Sequence, residues 1–197
     1  THGLSRRAAR KHVMQNSGEV TVENGEIFGA ESNKESDKKS DNGVAIYNNS
    51  GATVVLNGAE DGSELTVKGT RTGLENYGTA MINGGTVTSF YRNAIYTEAG
   101  SETTINGGQV IASMGSSGMG RAVSAVGDLT IHGGYFYAGG SSGAGDAFVN
   151  AISIFNGATL IIDPEEGKTV DVISETDYAV SCSDATVKIR GGNFACN

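Results

Sequence analysis

Apolar residues in this chain fall in short runs in which every second position is apolar, and the same short frame keeps returning. The segment "INGGQVIASMGSSGMG" at 105–120 is restated as "IHGGYFYAGGSSGAG" at 131–145, with "MINGGTVTS" at 81–89 before both. A polar residue just ahead of the glycine pair marks each unit: Glu23, Asn57, Asn83, Asn106, His132, Asn156 and Arg190. Successive spacings are 34, 26, 23, 26, 24 and 34, which describe a fixed short core with loops of varying length. One residue before the marker stand Val22, Leu56, Ile82, Ile105, Ile131, Phe155 and Ile189. Four after it, in six units, stand Ile27, Val87, Val110, Phe136, Leu160 and Phe194, while the second unit breaks there with "AEDGSE". An earlier strand starts small–apolar at Ala45-Ile46, Gly73-Leu74, Ala94-Ile95, Ala122-Val123, Ala147-Phe148 and Ala179-Val180.

Each unit thus offers about three short strands with one apolar face, and no single unit can bury that face. Stacked units can, each strand pairing in parallel with its counterpart one unit away. The prediction is an all-β, parallel β-helix of about seven rungs over residues 17–197, right-handed by the crossover rule. A β-sandwich is the competing all-β architecture, but antiparallel hairpins do not produce aligned columns of like residues. The glycine pairs mark a sharp bend between two strands, where φ > 0 is needed. Asn57, Asn83 and Asn106 before them predict a ladder of side-chain amides. In the same column His132 reads either as a ligand or proton shuttle, or as a substitute rung of the ladder; no second His lies near it in the frame, which favours the ladder.

The ends break the pattern. Residues 4–16, "LSRRAARKHVMQN", carry a helical stripe (Leu4, Ala8, His12, Val13) with Ser5 as N-cap and Gly18 just past the end. This predicts an amphipathic helix within 1–16 that covers the first rung. Thr1 in place of an initiator Met predicts that a leader or neighbouring domain has been removed. The final "GGNFACN" falls inside a rung, which predicts either further chain or a second subunit over that edge, and with it head-to-tail self-association. Cys182 and Cys196 share inward strand parity in this last rung and are expected to form a disulfide, in keeping with an extracellular setting.

Composition and charge narrow the function. Gly 30 in 197 residues with Pro 1 and Trp 0 fits a turn-rich strand protein. The formal net charge is −8, and the four bases of residues 1–16 (Arg6, Arg7, Arg10, Lys11) leave an acidic body that argues against nucleic acid as the main partner. No apolar run is long enough for a membrane span. No nucleophile elbow, zinc motif or phosphate loop is present, and no cofactor is implied. The inserts 30–41 and 163–177 are charged; Asp163, Glu165 and Glu166 offer oxygen ligands for calcium but lack the spacing of a dedicated loop.

Two surfaces carry candidate chemistry. The corner before the first strand aligns Thr72, Asn93, Arg121 and Asp146, the minimum from which a polysaccharide lyase would need a base and a carboxylate partner; an ion pair across strands is the competing role. The outward positions after the glycine pair are Thr86, Thr88, Gln109, Ile111, Tyr135 and Tyr137. Tyrosine faces beside hydroxyl and amide groups suit stacking and hydrogen bonding to sugars, so Tyr135, Tyr137, Gln109, Thr86 and Thr88 are the candidate ligand-binding set. Among these outward positions only 86–88 has the T-x-T grid of an ice-binding face, which sets that function aside.

The repeats "MINGGTVTS", "INGGQVIASMGSSGMG" and "IHGGYFYAGGSSGAG" resemble those of bacterial cell-surface right-handed β-helix proteins, within the wider pectate-lyase-like architecture. The resemblance spans about residues 17–197. It implies the fold, a bacterial surface or secreted location, and a polysaccharide or cell-surface glycan as partner. The carboxylates-plus-Arg catalytic pattern of that superfamily is not matched, so no catalytic residue carries over. The expected function is a non-catalytic module for adhesion, carbohydrate binding or scaffolding. The alternatives are a polysaccharide lyase or glycosidase and a self-stacking filament subunit.

Overall fold

The structure, a computed structural model, describes residues 12–29, 43–113, 120–140 and 149–197. These residues form 21 strands and, among them, no helix. The first rung is β1 (His12–Asn16), β2 (Glu19–Val22) and β3 (Gly25–Phe28); the second is β4 (Val44–Asn48), β5 (Thr53–Asn57) and β6 (Leu65–Gly69). The third is β7 (Thr72–Asn76), β8 (Thr79–Gly84) and β9 (Thr86–Ser89); the fourth is β10 (Asn93–Thr97), β11 (Glu102–Ile105) and β12 (Gln109–Ser113). The fifth is β13 (Arg121–Ala125), β14 (Asp128–Ile131) and β15 (Gly134–Gly139); the sixth is β16 (Ile152–Phe155), β17 (Thr159–Ile162) and β18 (Val170–Ser174). The seventh is β19 (Val180–Ser183), β20 (Thr186–Ile189) and β21 (Asn193–Cys196). Every third strand pairs in parallel, giving three seven-stranded sheets: the first runs β1 to β19, the second β2 to β20, the third β3 to β21. This is a parallel β-helix of seven rungs.

The columns predicted from period 2 line its interior. Leu56, Ile82, Ile105, Ile131 and Ile162 stack in register in the second sheet, and Val67, Val87, Val110, Phe136 and Val172 in the third; all are fully or nearly fully buried. Each such side chain contributes on the order of 2 kcal/mol by leaving water. The small residues before the first-sheet apolar column have a packing reason: a Cβ on Gly73 would sit 2.8 Å from the Ala94 carbonyl oxygen and 2.8 Å from Val87 Cγ1. At the bend into the third sheet Gly108 has φ +87°, and a Cβ there would lie 2.4 Å from the Gly85 carbonyl oxygen. Neither the backbone angle nor the space admits a side chain.

Two amide ladders run along the rod. The expected one is present: Asn83 Nδ2 donates to Asn57 Oδ1 and Asn106 Nδ2 to Asn83 Oδ1, both at 2.7 Å. A second one, not anticipated, lies inside the corner between the first and second sheets. Asn16 Nδ2 donates to Asn48 Oδ1 and Asn48 Nδ2 to Asn76 Oδ1, both at 2.8 Å, and Asn76 Nδ2 reaches Thr103 Oγ1 at 3.0 Å. Asn48 and Asn76 are fully buried, so every amide bond here is made out of water.

Four sequence expectations are corrected. The helix predicted through residue 16 does not reach it: His12–Asn16 is β1, with Met14 paired to Ile46 over the core and Asn16 opening the buried ladder. Pairing to β4 and a ladder amide outweigh a helical stripe of four residues, while residues 1–11 lie outside the described part. The sixth unit also has a different frame from the one that the sequence predicts. Ile162, not Phe155, follows Ile131, so the marker is Asp163 rather than Asn156. Ile152, not Phe148, follows Val123, and Val172, not Leu160, follows Phe136; Ala147-Phe148 lies outside the described residues. Third, the insert 163–177 contains β18.

Fourth, the expected disulfide is not formed. Cys182 pairs opposite buried Ile154 and Cys196 opposite buried Ser174, so both do have inward parity. They stand on different sheets, each is a free exposed thiol, and each meets a separate carbonyl, Cys182 that of Ala185 at 3.4 Å and Cys196 that of Asp177. No helix among the described residues is long and apolar enough to cross a membrane.

Asn48→Ala removes donations to Asn76 Oδ1, the Ala52 carbonyl and the Thr79 carbonyl, and takes away the rung-to-rung acceptor of the Asn16 amide, which keeps only the Gly18 and Thr53 carbonyls. The expected cost is about 2–4 kcal/mol, read as a lowered urea midpoint; a loss below about 0.5 kcal/mol would show that the ladder is not structural. Thiol labelling of the native protein is expected to titrate both cysteines without denaturant or reductant.

Candidate functional site

The outer face of the third sheet collects all five predicted ligand-binding residues. Thr86, Gln109, Tyr135, Asp171 and Asn193 form one outward column, and Lys68, Thr88, Ile111, Tyr137, Ile173 and Ala195 the next. Parallel pairing in register makes the columns, because a one-residue slip would turn every one of these side chains inward. Tyr135 and Tyr137, two apart on β15, lie with ring centroids 6.2 Å apart and planes within 11° of parallel.

Two segments overhang this face. The bend after β5 carries Glu60 and Asp61 and is tied down by third-sheet side chains: Thr86 Oγ1 donates to the Gly62 carbonyl at 2.7 Å and Gln109 Nε2 to the Asp61 carbonyl at 2.7 Å. The segment between β17 and β18 carries Lys168, whose ammonium meets the Asn106 carbonyl at 3.0 Å, Glu60 at 3.3 Å and Glu165 at 3.0 Å. Lys168 therefore bridges the two segments. Hydrogen bonding to Glu165, then to Glu60, holds its ammonium above its usual pKa, and the same contact lowers that of Glu165. Between them lies a cleft of about 260 Å³, floored by Gly107, Gly108, Gly133 and Gly134 and flanked by Gln109, Tyr135 and Asp171. A second cleft of about 360 Å³ shares the Lys168–Thr169 wall and runs on to Arg190 and Asn193.

The carboxylates here are set by hydrogen bonds. Asp61 accepts the Ser63 amide at 2.9 Å, and its bonds to Ser63 lower its pKa. Asp171 Oδ1 accepts Asn193 Nδ2 at 2.7 Å. Glu175 accepts the Tyr137 hydroxyl and the Gly140 amide; these bonds, Tyr137 first, lower its pKa, and Tyr137 is pushed up to about 12.

The other candidates resolve into structural roles or fall apart. His132 Nδ1 lies 2.9 Å from the Asp163 carbonyl; a carbonyl only accepts, so this nitrogen carries the proton, as a ladder residue would require. Asp163 itself pairs with Arg190 at 2.5 Å, and Glu165 with Lys168. Among the described residues no group of three or more His, Cys, Asp or Glu is arranged around a metal position. In the corner considered for lyase chemistry, Arg121 does stand in register with Asn93, but its guanidinium lies 5.6 Å over the Phe155 ring and burial lowers its pKa, opposed by Asp177. Asp146 lies outside the described residues.

Sequence reasoning missed Glu60, Asp61, Lys168, Asp171 and Glu175. A signal for Asp171 existed: Val170 and Val172 flank it with period 2, and the acidic surroundings masked that strand. Lys168 had none, since its bridge spans 62 residues to Asn106 and depends on how two bends fold back.

Glu175 contributes stability that is present above its unfolded-state pKa and lost as pH falls through its lowered folded value. Tyr137→Phe is expected to raise the Glu175 midpoint toward the ordinary carboxylate value, followed by carboxyl-carbon NMR, with Gly140 retaining part of the depression. An unchanged midpoint would assign the whole effect to the Gly140 amide. No family model, curated protein or solved structure matches this chain.

Proposed function

We propose that this chain is a non-catalytic, extracellular β-helix module of a bacterial surface or secreted protein, and that it binds polysaccharide on the outer face of the third sheet. The observation that carries the proposal is the Tyr135–Tyr137 pair, with near-parallel rings on a rigid strand, beside a polar cleft. Sugar rings stack on tyrosine faces through their C–H surfaces, while their hydroxyls exchange hydrogen bonds with amides and carboxylates. Gln109, Asp171 and Asn193 supply such groups in the same column as Tyr135. A face built on paired strands is held in shape before the ligand arrives, which lowers the entropy cost of binding.

A glycan array and affinity electrophoresis on a polysaccharide panel test the proposal. The Tyr135→Ala/Tyr137→Ala double variant is expected to lose binding by at least about tenfold, the scale of one to two stacking contacts. An ultraviolet-absorbing unsaturated product from any polysaccharide, abolished by Arg121→Ala, would replace this reading with a lyase.

A further inference from the structure

The charge around the cleft says which glycans fit it. Glu60, Asp61 and Asp171 line it against the single ammonium of Lys168, so the lining carries two net negative charges. That ammonium is already shared between Glu60 and Glu165. In the adjoining cleft the Arg190 guanidinium is held by Asp163 at 2.5 Å. The cations that line these two clefts, Lys168 and Arg190, are therefore both turned toward carboxylates of the protein itself. Asp61 stays ionised, because its bonds to Ser63 lower its pKa. Recognition of a sugar carboxylate or sulfate calls for the reverse, cationic forks open to the ligand.

We infer that the site accepts an acid-free glycan chain and rejects uronates, with Asp61 and Asp171 as the residues that enforce the rejection. The inference rests on the binding face proposed above. Asp171 occupies the column of Tyr135 one rung further on, so a sugar stacked on that ring places its neighbour beside this carboxylate. A uronate there would bring like charges together in a half-enclosed cleft where screening is weaker than in bulk water. A hydroxymethyl or amino group in the same place would instead donate to it. The selectivity is opposite in sign to that of a site built to cleave uronate polymers.

The test is calorimetric titration of the full chain with acid-free hexamers (gluco-, manno-, xylo-, galacto- and glucosamine series) and with galacturonate and mannuronate hexamers. The best acid-free hexamer is expected to bind at least about tenfold more tightly than either uronate at low ionic strength, a gap that narrows as salt is raised. Asp61→Asn with Asp171→Asn is expected to shrink this ratio by at least about threefold. Because both ligands are measured on one preparation, partial unfolding cancels from the ratio. A uronate that binds as tightly as the best acid-free hexamer, or a ratio unmoved in the double variant, overturns the inference and leaves the binding face standing. Failure of every hexamer of both classes to bind overturns the binding face, and the inference with it.

Discussion

Parallel pairing between rungs is the constraint on which everything else depends. Among the described residues no strand pairs with its sequence neighbour; each finds its partner one full turn away, in three sheets that never exchange strands. A rung in isolation has no paired edge and no covered apolar face, so local structure and core form together. The requirement explains the strictness of the inner columns. A polar residue at Ile82 or Val110 would disturb the rungs on both sides as well as its own. It explains equally why outer columns such as Thr86, Gln109, Tyr135, Asp171 and Asn193 are free to vary.

The bends pose a separate problem, because backbone groups leave the ladder there. Asparagine answers it at both corners with the same device. Its side chain carries a donor and an acceptor, and stacked strands bring successive amides within one hydrogen bond of each other. Asn16 and Asn76 also accept the amides of Gly18 and Gly78, at 3.1 Å and 3.0 Å, so one side chain both closes its own turn and ties the next rung. Where the inner ladder ends, Thr97 keeps the rung-tying half of the role: its hydroxyl accepts the amide of Gly127, in the next rung, at 3.2 Å. On the other corner the column continues as His132, Asp163 and Arg190, joined through a carbonyl and an ion pair. Polar chemistry that might be taken for a catalytic line is here the mortar of the bends.

The candidate site arises where this regular frame is interrupted. Of the bends between the second and third sheets two are longer than the rest, one carrying Glu60 and Asp61 and the other Lys168. They lean over the third sheet and are bolted to it by Thr86, Gln109 and the Lys168 bridge. The sheet contributes rigidity and the tyrosine faces, and the bends contribute depth and charge. This division makes the surface separable in design: outer substitutions alter recognition with little effect on the core, whereas at Gly108 and Gly134 of the floor a side chain would meet both a positive φ and a backbone oxygen, at 2.4 Å and 3.0 Å.

How far this was legible from the residues follows from the range over which each feature is decided. The rung count, the inner columns, the Asn57–Asn83–Asn106 ladder and the outward placement of Tyr135 and Tyr137 follow from period 2 and a repeated glycine bend, both local properties of the chain. The register of the sixth rung did not, because an acidic stretch hid β18 and two equally plausible frames compete until strands are paired. The buried Asn16–Asn48–Asn76 ladder was spread over bends of different length, and the strand at His12–Asn16 carried a helical stripe that only pairing to β4 overrides. The thiols of Cys182 and Cys196 have the parity that sequence assigns them, yet parity says nothing about which sheet each occupies. The Lys168 bridge and the acidic cleft belong wholly to tertiary structure. They exist because two segments distant in sequence are laid side by side by the stacking of rungs, and charge complementarity over such a separation leaves no pattern along the chain.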